Sequence, residues 1–456
     1  MPISVHTDLI HRYDRPGPRY TSYPTAPHFS SEFTPVDWEL AMSENNLTPD
    51  RDLSLYVHIP FCDTLCWFCG CTTIISRRKE ASARYVDALL REIDLYAERI
   101  HPGRRVVQIH WGGGTPTHLS PEQIERVGRH LHDRFRVSGD AEISCEMDPR
   151  GLENGHIEAL RLVGFNRASI GVQDFNPVVQ KAINRIHDEA LVGDVVARIR
   201  AAGFASINMD LIYGLPHQTP DSFADTLDRV RRLNSDRLAV FSYAHVPWMM
   251  PHQKLIHEND LPHPTDKALM LAHVVASLTE EDWTYIGMDH FARSSDDLAV
   301  AQRNGTLQRN FQGYSTRSGV DIHAFGMSSI SQLPNTYAQH SKQLGAWYDA
   351  VEAGRLPLAK GVRLSPDDVQ RRHVIMRLMC DMRLDFDALS EQLGVAFPEV
   401  FRRELAALDM FMDDGLLEKT HGGLRVTDTG RLFVRNMAMT FDAYLGVGQA
   451  RYSRTV

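Results

Sequence analysis

Long apolar runs are missing from this chain of 456 residues. None approaches the ~18 residues that a membrane helix needs, so no membrane span is expected. The first residues, Met1-Pro-Ile-Ser-Val-His-Thr-Asp8, lack the basic-then-apolar order of a signal peptide. Basic excess is missing as well: 49 Lys and Arg stand against 58 Asp and Glu, for a formal charge of -9 and a pI near 6.2. Phosphate binding needs a basic surface, so nucleic acid is not an expected partner. Cysteine is scarce, and four of the 6 fall between positions 62 and 71. That makes no disulfide framework and points to a reduced, cytoplasmic setting. GxGxxG, GxxxxGK[ST], HExxH and GxSxG are all absent, which removes the usual signals for dinucleotide, nucleoside triphosphate, hydrolytic zinc and serine hydrolase sites.

What is present is an ordinary globular composition, 43% hydrophobic and 23% charged, in a chain long enough for one large enzyme domain and a smaller one. Apolar, β-branched runs predict strands over 53–59, 106–111, 141–147, 167–172, 206–213 and 237–243. Helical patterns fall between most of them, clearest at 82–99, 121–135, 189–202 and 221–233. Ser120-Pro-Glu-Gln123 reads as a helix start, with a cap, a proline in the first turn and Gln three residues on. Alternating strands and helices imply parallel pairing through right-handed crossovers. Six units make a partial TIM-like barrel, with an open doubly wound sheet as the alternative. Polar residues recur at the ends of the runs (Gly112 to Thr115, Glu146, Gln173, Asp210), as a barrel mouth would require.

The expected division is an extended N-terminal arm over 1–50, a barrel with its following loops over 51–345, and a mostly helical segment over 346–456. Residues 304–345 look too polar and broken for regular core and read as functional loop. The end of the chain, with a helix opening at Ser365 and a hairpin near 416–427, resembles a small winged-helix module. Its Asp409, Asp413, Asp414 and Glu418 speak against nucleic-acid binding there.

The chemistry concentrates after the first strand, in Tyr56-Val-His-Ile-Pro-Phe-Cys-Asp-Thr-Leu-Cys-Trp-Phe-Cys-Gly-Cys71. Cys62, Cys66 and Cys69 have CxxxCxxC spacing, which can hold three corners of an iron–sulfur cube and leave one iron open. Zinc or plain buried thiols are the bland alternatives; structural zinc usually takes four ligands in two separated pairs. Cys71 would then lie outside the ligand set, near the cluster. Cys145 and Cys380 read as buried thiols. Gly112-Gly-Gly-Thr-Pro116 allows close backbone approach to a ligand, or is simply a tight turn. Glu146 and Asp148 share one face of a strand by their period-two spacing. Each is either a ligand-holding carboxylate or half of a salt bridge, and Asp210 invites the same two readings. Arg185 can hold a carboxylate, or be solvated.

Together these stretches resemble the radical S-adenosylmethionine enzymes and, more closely, the family of bacterial oxygen-independent coproporphyrinogen III oxidases. The likeness is carried by Gly17-Pro-Arg-Tyr-Thr-Ser-Tyr-Pro24, the cysteine loop, His110-Trp-Gly-Gly-Gly-Thr-Pro116, Gly171-Val-Gln-Asp-Phe175 and Asp210-Leu-Ile-Tyr-Gly-Leu-Pro216. Gly287-Met-Asp-His-Phe-Ala-Arg293, Arg309-Asn-Phe-Gln-Gly-Tyr314 and Phe441-Asp-Ala-Tyr-Leu445 extend it over nearly the whole chain. The resemblance implies a 4Fe–4S cluster on Cys62, Cys66 and Cys69 and two molecules of S-adenosylmethionine. Tyr56, Gly113, Glu146 and Ile330 would contact the one on the cluster; Phe68, Gly114, Thr115, Gln173, Arg185, Asp210 and Ala244 would contact the second. It implies a 5′-deoxyadenosyl radical and oxidative decarboxylation of two propionates of coproporphyrinogen III to vinyl groups, giving protoporphyrinogen IX. A monomer served by a reduced flavodoxin-type electron donor belongs to the same expectation. The alternative is a heme chaperone-type relative that binds heme without converting porphyrinogen; the Gly17–Pro24 arm and the Cys-Gly-Cys ending argue against it. Two departures stand out: Ala324 where a glycine is usual, and Ser329 where an alanine is usual. The Ala324 methyl would crowd a close backbone approach near Ile330.

Overall fold

The computed structural model describes residues 7–446 and 452–455. Six parallel strands are laid down in chain order: β1 Leu53–Ile59, β2 Arg105–Gly113, β3 Arg136–Met147, β4 Arg167–Gln173, β5 Ser206–Tyr213 and β6 Arg237–Ser242. Each pairs with the next. Helices α1 Lys79–Ala97, α2 Pro121–Arg134, α3 Asn154–Leu162, α4 Glu189–Ala201 and α5 Pro220–Arg232 connect them. The α/β partial barrel expected from the sequence is the fold. Its strands alternate: Ile109, Trp111, Ile143, Cys145, Ile170, Met209 and Val240 are buried in the main hydrophobic core or against it. The intervening positions carry the polar side chains that line the interior cavity, among them Gln108, His110, Glu142, Ser144, Ser169, Asn208 and Asp210. Helix starts are written as expected: Ser120 accepts from the Gln123 N–H and Gln123 reaches back to Ser120, closing a capping box.

Two sequence expectations are corrected. Residues 304–345 are not irregular. They contain a hairpin, Gln308–Asn310 with Gly313–Ser315, and three further sheet strands. With β7 Trp283–Gly287 and β8 His290–Arg293 preceding them, these strands are β9 Asp321–Phe325, β10 Ile330–Leu333 and β11 Thr336–His340. β9 runs parallel to β1 on the side away from β2, so the sheet continues past the barrel strands. The polarity misled because polar side chains are buried with partners: Asp321 sits in β9 with Arg51 at 2.9 Å and the Asn45 amide at 2.8 Å, and also pairs with Arg104. The sheet then crosses residue 345, since β12 Leu358–Arg363 pairs with β11.

The N-terminal arm is also not simply extended. Thr7–Tyr13 and Pro35–Asn45 are helices, the second with a Thr34–Asp37 capping box. Between them Tyr20 and Tyr23 are fully buried and, with Tyr13, join the core of the C-terminal helices and hairpin. Burying a large ring contributes roughly 1.5–3 kcal/mol, so three of them fix the arm as part of the fold. Tyr20 donates to Asp442 at 2.9 Å, and Tyr23 accepts the Ala443 N–H at 2.9 Å. The C-terminal segment has helix Pro366–Asp381, short helices through Asp413, and hairpin Leu417–Thr420 with Gly423–Val426, joined by a third strand, Arg383–Asp385.

Candidate active site

The C-terminal ends of β1 to β6 open on two cavities. The larger, about 430 Å³, is lined by Cys62, Cys66, Cys69, Phe68, Gly114, Thr115, Gln173, Arg185 and Asp210, among others. The smaller, about 390 Å³, is lined by Tyr56, His58, Phe311, Gln312 and Ile330. Gly113, Glu146, Cys71 and Gln312 border both. Of the residues expected to hold the cluster or contact S-adenosylmethionine, Ala244 alone lines neither; it is half-buried, two residues past β6.

The cysteine loop leaves β1 and returns to it. Ile74 N–H donates to Pro60 O at 2.7 Å and Ser76 N–H to Cys62 O at 3.1 Å, which pins both ends. The three thiols are not in like surroundings. Cys66 Sγ has Arg150 Nη2 and Arg185 Nη1 each at 3.6 Å. Cys69 Sγ receives the Cys71 N–H at 3.4 Å, and hydrogen bonding from Cys71 draws its thiol down to about 7. Burial pushes Cys62 up to about 12, against a hydrogen bond with Thr115. Two guanidiniums and a backbone N–H directed at sulfur suit a thiolate set that carries negative charge onto an iron–sulfur cluster. The residues therefore fit that group. Cys71 is held differently. Its hydrogen bond to Cys69 raises the thiol and keeps it protonated.

The three glycines after β2 resolve into packing. Gly113 N–H donates to Glu146 Oε2 at 3.1 Å, Gly114 N–H to Ile59 O at 2.8 Å and Thr115 N–H to Phe61 O at 2.8 Å. These donors are used by the protein, so a ligand meets bare backbone here and not a free anion cradle. A Cβ on Gly112 would stand 2.9 Å from the Glu146 carboxyl, and one on Gly114 would stand 2.6 Å from Pro60 O. The glycines make room for Glu146 and for the β1 loop.

Glu146 is held by groups that sequence reasoning did not single out. His110 Nε2 lies 3.3 Å from its Oε1, and His110 Nδ1 lies 2.6 Å from Ser144 Oγ. Burial pushes the carboxyl up, but His110 and the Gly113 N–H outweigh it and hold Glu146 below the usual carboxylate value. The signal was available: His110 and Ser144 are register partners on β2 and β3, on the same inward alternation as Glu146. Asp148 turns out to be a salt-bridge residue, with Arg150 at 2.7 Å and Arg185 at 3.0 Å. Asp210 receives the Asn208 amide at 2.7 Å and the Ser169 hydroxyl at 3.2 Å. Its burial, then the charge of Glu146, push it up to about 7. Arg185 Nε and Gln173 Oε1 are buried without hydrogen-bond partners among the described residues. Gln173 also takes φ 68, in the left-handed region uncommon for a side-chain-bearing residue.

Ala324 does not displace Ile330. It is fully buried opposite Tyr56, and its N–H donates to Ser331 Oγ at 2.9 Å. Ser329 is used as well: its hydroxyl donates to Gly326 O at 2.8 Å and lies 3.0 Å from His340 Nδ1. His340 in turn lies 3.0 Å from the fully buried Glu92, which accepts the Gly326 N–H at 2.7 Å. This network ties α1 to the turn before Ile330.

A three-cysteine loop at the mouth of an open parallel barrel, beside a cavity-lining carboxylate, defines a radical S-adenosylmethionine class of protein. Residues 56–230 match the model of the Radical SAM superfamily, and residues 364–433 match that of the HemN C-terminal domain. The chain belongs to the family of oxygen-independent coproporphyrinogen III oxidases. It is 48% identical over 437 residues to the protein of that name from Salmonella typhimurium, covering 96% of this chain and 95% of the relative. The Escherichia coli K12 protein of the same name is 47% identical over 437 residues. The solved Escherichia coli coproporphyrinogen III oxidase (HemN), described as a radical SAM enzyme, superposes with a TM-score of 0.92 at 46% identity. That match covers 97% of this chain and 100% of the solved one.

Proposed function

We infer that this chain converts coproporphyrinogen III to protoporphyrinogen IX without oxygen, by oxidative decarboxylation of two propionate side chains to vinyl groups in heme biosynthesis. The observation that carries the reading is the cysteine loop opening on the larger of two adjoining cavities, in a chain matched end to end by enzymes of that name. Cys62, Cys66 and Cys69 would hold the 4Fe–4S cluster. When bound, cluster and S-adenosylmethionine supply the carbon radical that abstracts a substrate hydrogen.

Two S-adenosylmethionine molecules are part of the proposal, and the cavity linings support it. Tyr56, Gly113, Glu146 and Ile330 fall together on the smaller cavity, Gly113 and Glu146 at its border with the larger, while Phe68, Gly114, Thr115, Gln173, Arg185 and Asp210 line the larger alone. In this reading Glu146, ionised and fixed by His110, holds an ammonium or hydroxyl group of the first. Arg185 and Gln173, with unpartnered buried polar atoms, orient the second. Through Tyr13, Tyr20 and Tyr23 the arm shares a core with the C-terminal helices and hairpin; in this reading the two together cover the barrel mouth and keep water from the reacting carbon. A reduced flavodoxin-type donor, a monomeric state and a cytoplasmic setting complete the proposal. All six cysteines are free thiols, as a reducing setting requires. No helix among the described residues is long and apolar enough to cross a membrane.

The test is anaerobic incubation of cluster-loaded, reduced protein with S-adenosylmethionine and coproporphyrinogen III. The expected product is protoporphyrinogen IX. Stable heme binding with no conversion would overturn the reading in favour of a heme carrier.

A further inference from the structure

The wall of the larger cavity away from the cysteines is aromatic. Phe241 at the end of β6 meets His290 of β8 edge-on at 5.8 Å, and His290 meets Tyr314 edge-on at 5.2 Å. A guanidinium stands at each end of this row: Arg19, from the arm, 5.8 Å over the Phe241 ring, and Arg309, 4.8 Å over the Tyr314 ring. Arg309 Nε donates to the Arg19 carbonyl at 3.3 Å, so the two ends adjoin.

Their charges are not balanced. Arg19 pairs with Asp289. Arg309 is 5% exposed, its Nη1 is buried without a hydrogen-bond partner, and it forms no ion pair among the described residues. Arg435 lies close by and spends its donors on the carbonyls of Gly17 and Thr455, at 2.6 and 3.2 Å. Burial, then Arg309, push His290 down to about 3, leaving a neutral imidazole whose Nδ1 has no partner among the described residues; nor has the Nε2 of half-buried Gln312, on the same cavity. A buried guanidinium without an anion is costly, and the missing partner is a carboxylate.

We propose that Arg309, with Arg19 beside it, binds a propionate carboxylate of the tetrapyrrole while Phe241, His290 and Tyr314 carry a pyrrole face. This rests on the function inferred above. The chemistry matches at both ends, since the substrate class joins flat π-rings to carboxylates on short flexible arms. S-adenosylmethionine also carries a carboxylate, so the test separates the two sources.

Cluster-loaded protein is titrated anaerobically with coproporphyrinogen III, with its tetramethyl ester, and separately with S-adenosylmethionine. Arg309→Gln should weaken coproporphyrinogen binding about tenfold or more and narrow the preference for acid over ester. S-adenosylmethionine affinity should hold, and Arg309→Lys should restore part of the loss. Unchanged coproporphyrinogen affinity would overturn the proposal. So would a parallel loss of S-adenosylmethionine affinity, which would give the anchor to the cofactor. Should Arg309→Gln fail to fold, wild type and Arg19→Gln decide: equal binding of acid and ester by wild type overturns the proposal, and a preference for acid that Arg19→Gln narrows supports it. Wild type that neither binds nor converts coproporphyrinogen defeats the underlying function instead.

Discussion

Glu146 and Asp210 stand two strands apart on the inner face of one sheet, and they are held in opposite states. Both line a cavity inside the barrel, where desolvation pushes both up. Glu146 is met by a histidine and a backbone N–H, and ends below its ordinary value. Asp210 is met by an amide and a hydroxyl, and ends near 7. The partners separate them: His110 and the Gly113 N–H outweigh desolvation at Glu146, and the Asn208 amide and Ser169 hydroxyl do not at Asp210. The first also acts on the second, since the charge of Glu146 is part of what keeps Asp210 protonated. Glu146, on the border of both cavities, therefore carries a standing negative charge, and Asp210, in the larger one, acquires its own only when something draws it out.

The largest expected effect lies in the loop beside both cavities. Cys66→Ser should remove the broad iron–sulfur absorbance, or leave a cluster that cannot cleave S-adenosylmethionine, and conversion should fall to background. Cys71→Ser should keep the absorbance, because Cys71 supports Cys69 through its backbone N–H, which serine retains. Loss of the cluster in Cys71→Ser would mean the ligand set is wrong.

A second, smaller effect tests whether the cavities are separate. Arg185→Met removes a guanidinium shared by Asp148 and Cys66. Arg150 still holds Asp148 at 2.7 Å, so the fold should survive. Equilibrium binding should show the second S-adenosylmethionine weakened by about 10–100-fold, with the first unaltered. Equal weakening of both would mean that one continuous site has been divided in error.

The contrast between the carboxylates was only partly legible in the sequence. Period-two spacing on a strand put Glu146 and Asp148 on one face, and both line the larger cavity. It could not tell that Asp148 would be consumed by Arg150 and Arg185, or that His110 would take Glu146, because those partners come from elsewhere in sequence and meet through sheet register. The barrel strands were readable because their outward faces are apolar against helices. Asp321–Phe325 was not readable. It is buried at every position, carries Asp321 and His323, and owes its strand to pairing with β1 across 268 residues of chain (Leu53 with Asp321 through Val57 with Phe325). Asp321 there is satisfied by Arg51, Asn45 and Arg104, a solution that composition does not show, while both ring nitrogens of His323 are buried with no hydrogen-bond partner among the described residues.

The finest test is of Asp210 itself. Its carboxyl is raised in the folded protein, so between its ordinary value and about 7 the folded state binds the extra proton. Stability therefore falls as pH rises through that window, and the full cost is present above about 7. Asp210→Asn cannot ionise, so its stability relative to wild type should improve as pH is raised from about 4 to about 8, on the order of 1–3 kcal/mol, read from denaturant midpoints. Ligand binding should run the other way. A sulfonium in the larger cavity favours the ionised form, so wild type should release a proton on binding its second S-adenosylmethionine near pH 6.5, and its affinity should rise toward pH 8. The Asn variant should bind more weakly with a flat pH profile. Calorimetry in buffers of different ionisation heat reads the proton directly. Proton release that persists in Asp210→Asn would move the titrating group elsewhere, and the opposition between the two carboxylates would no longer explain how the larger cavity takes a cation.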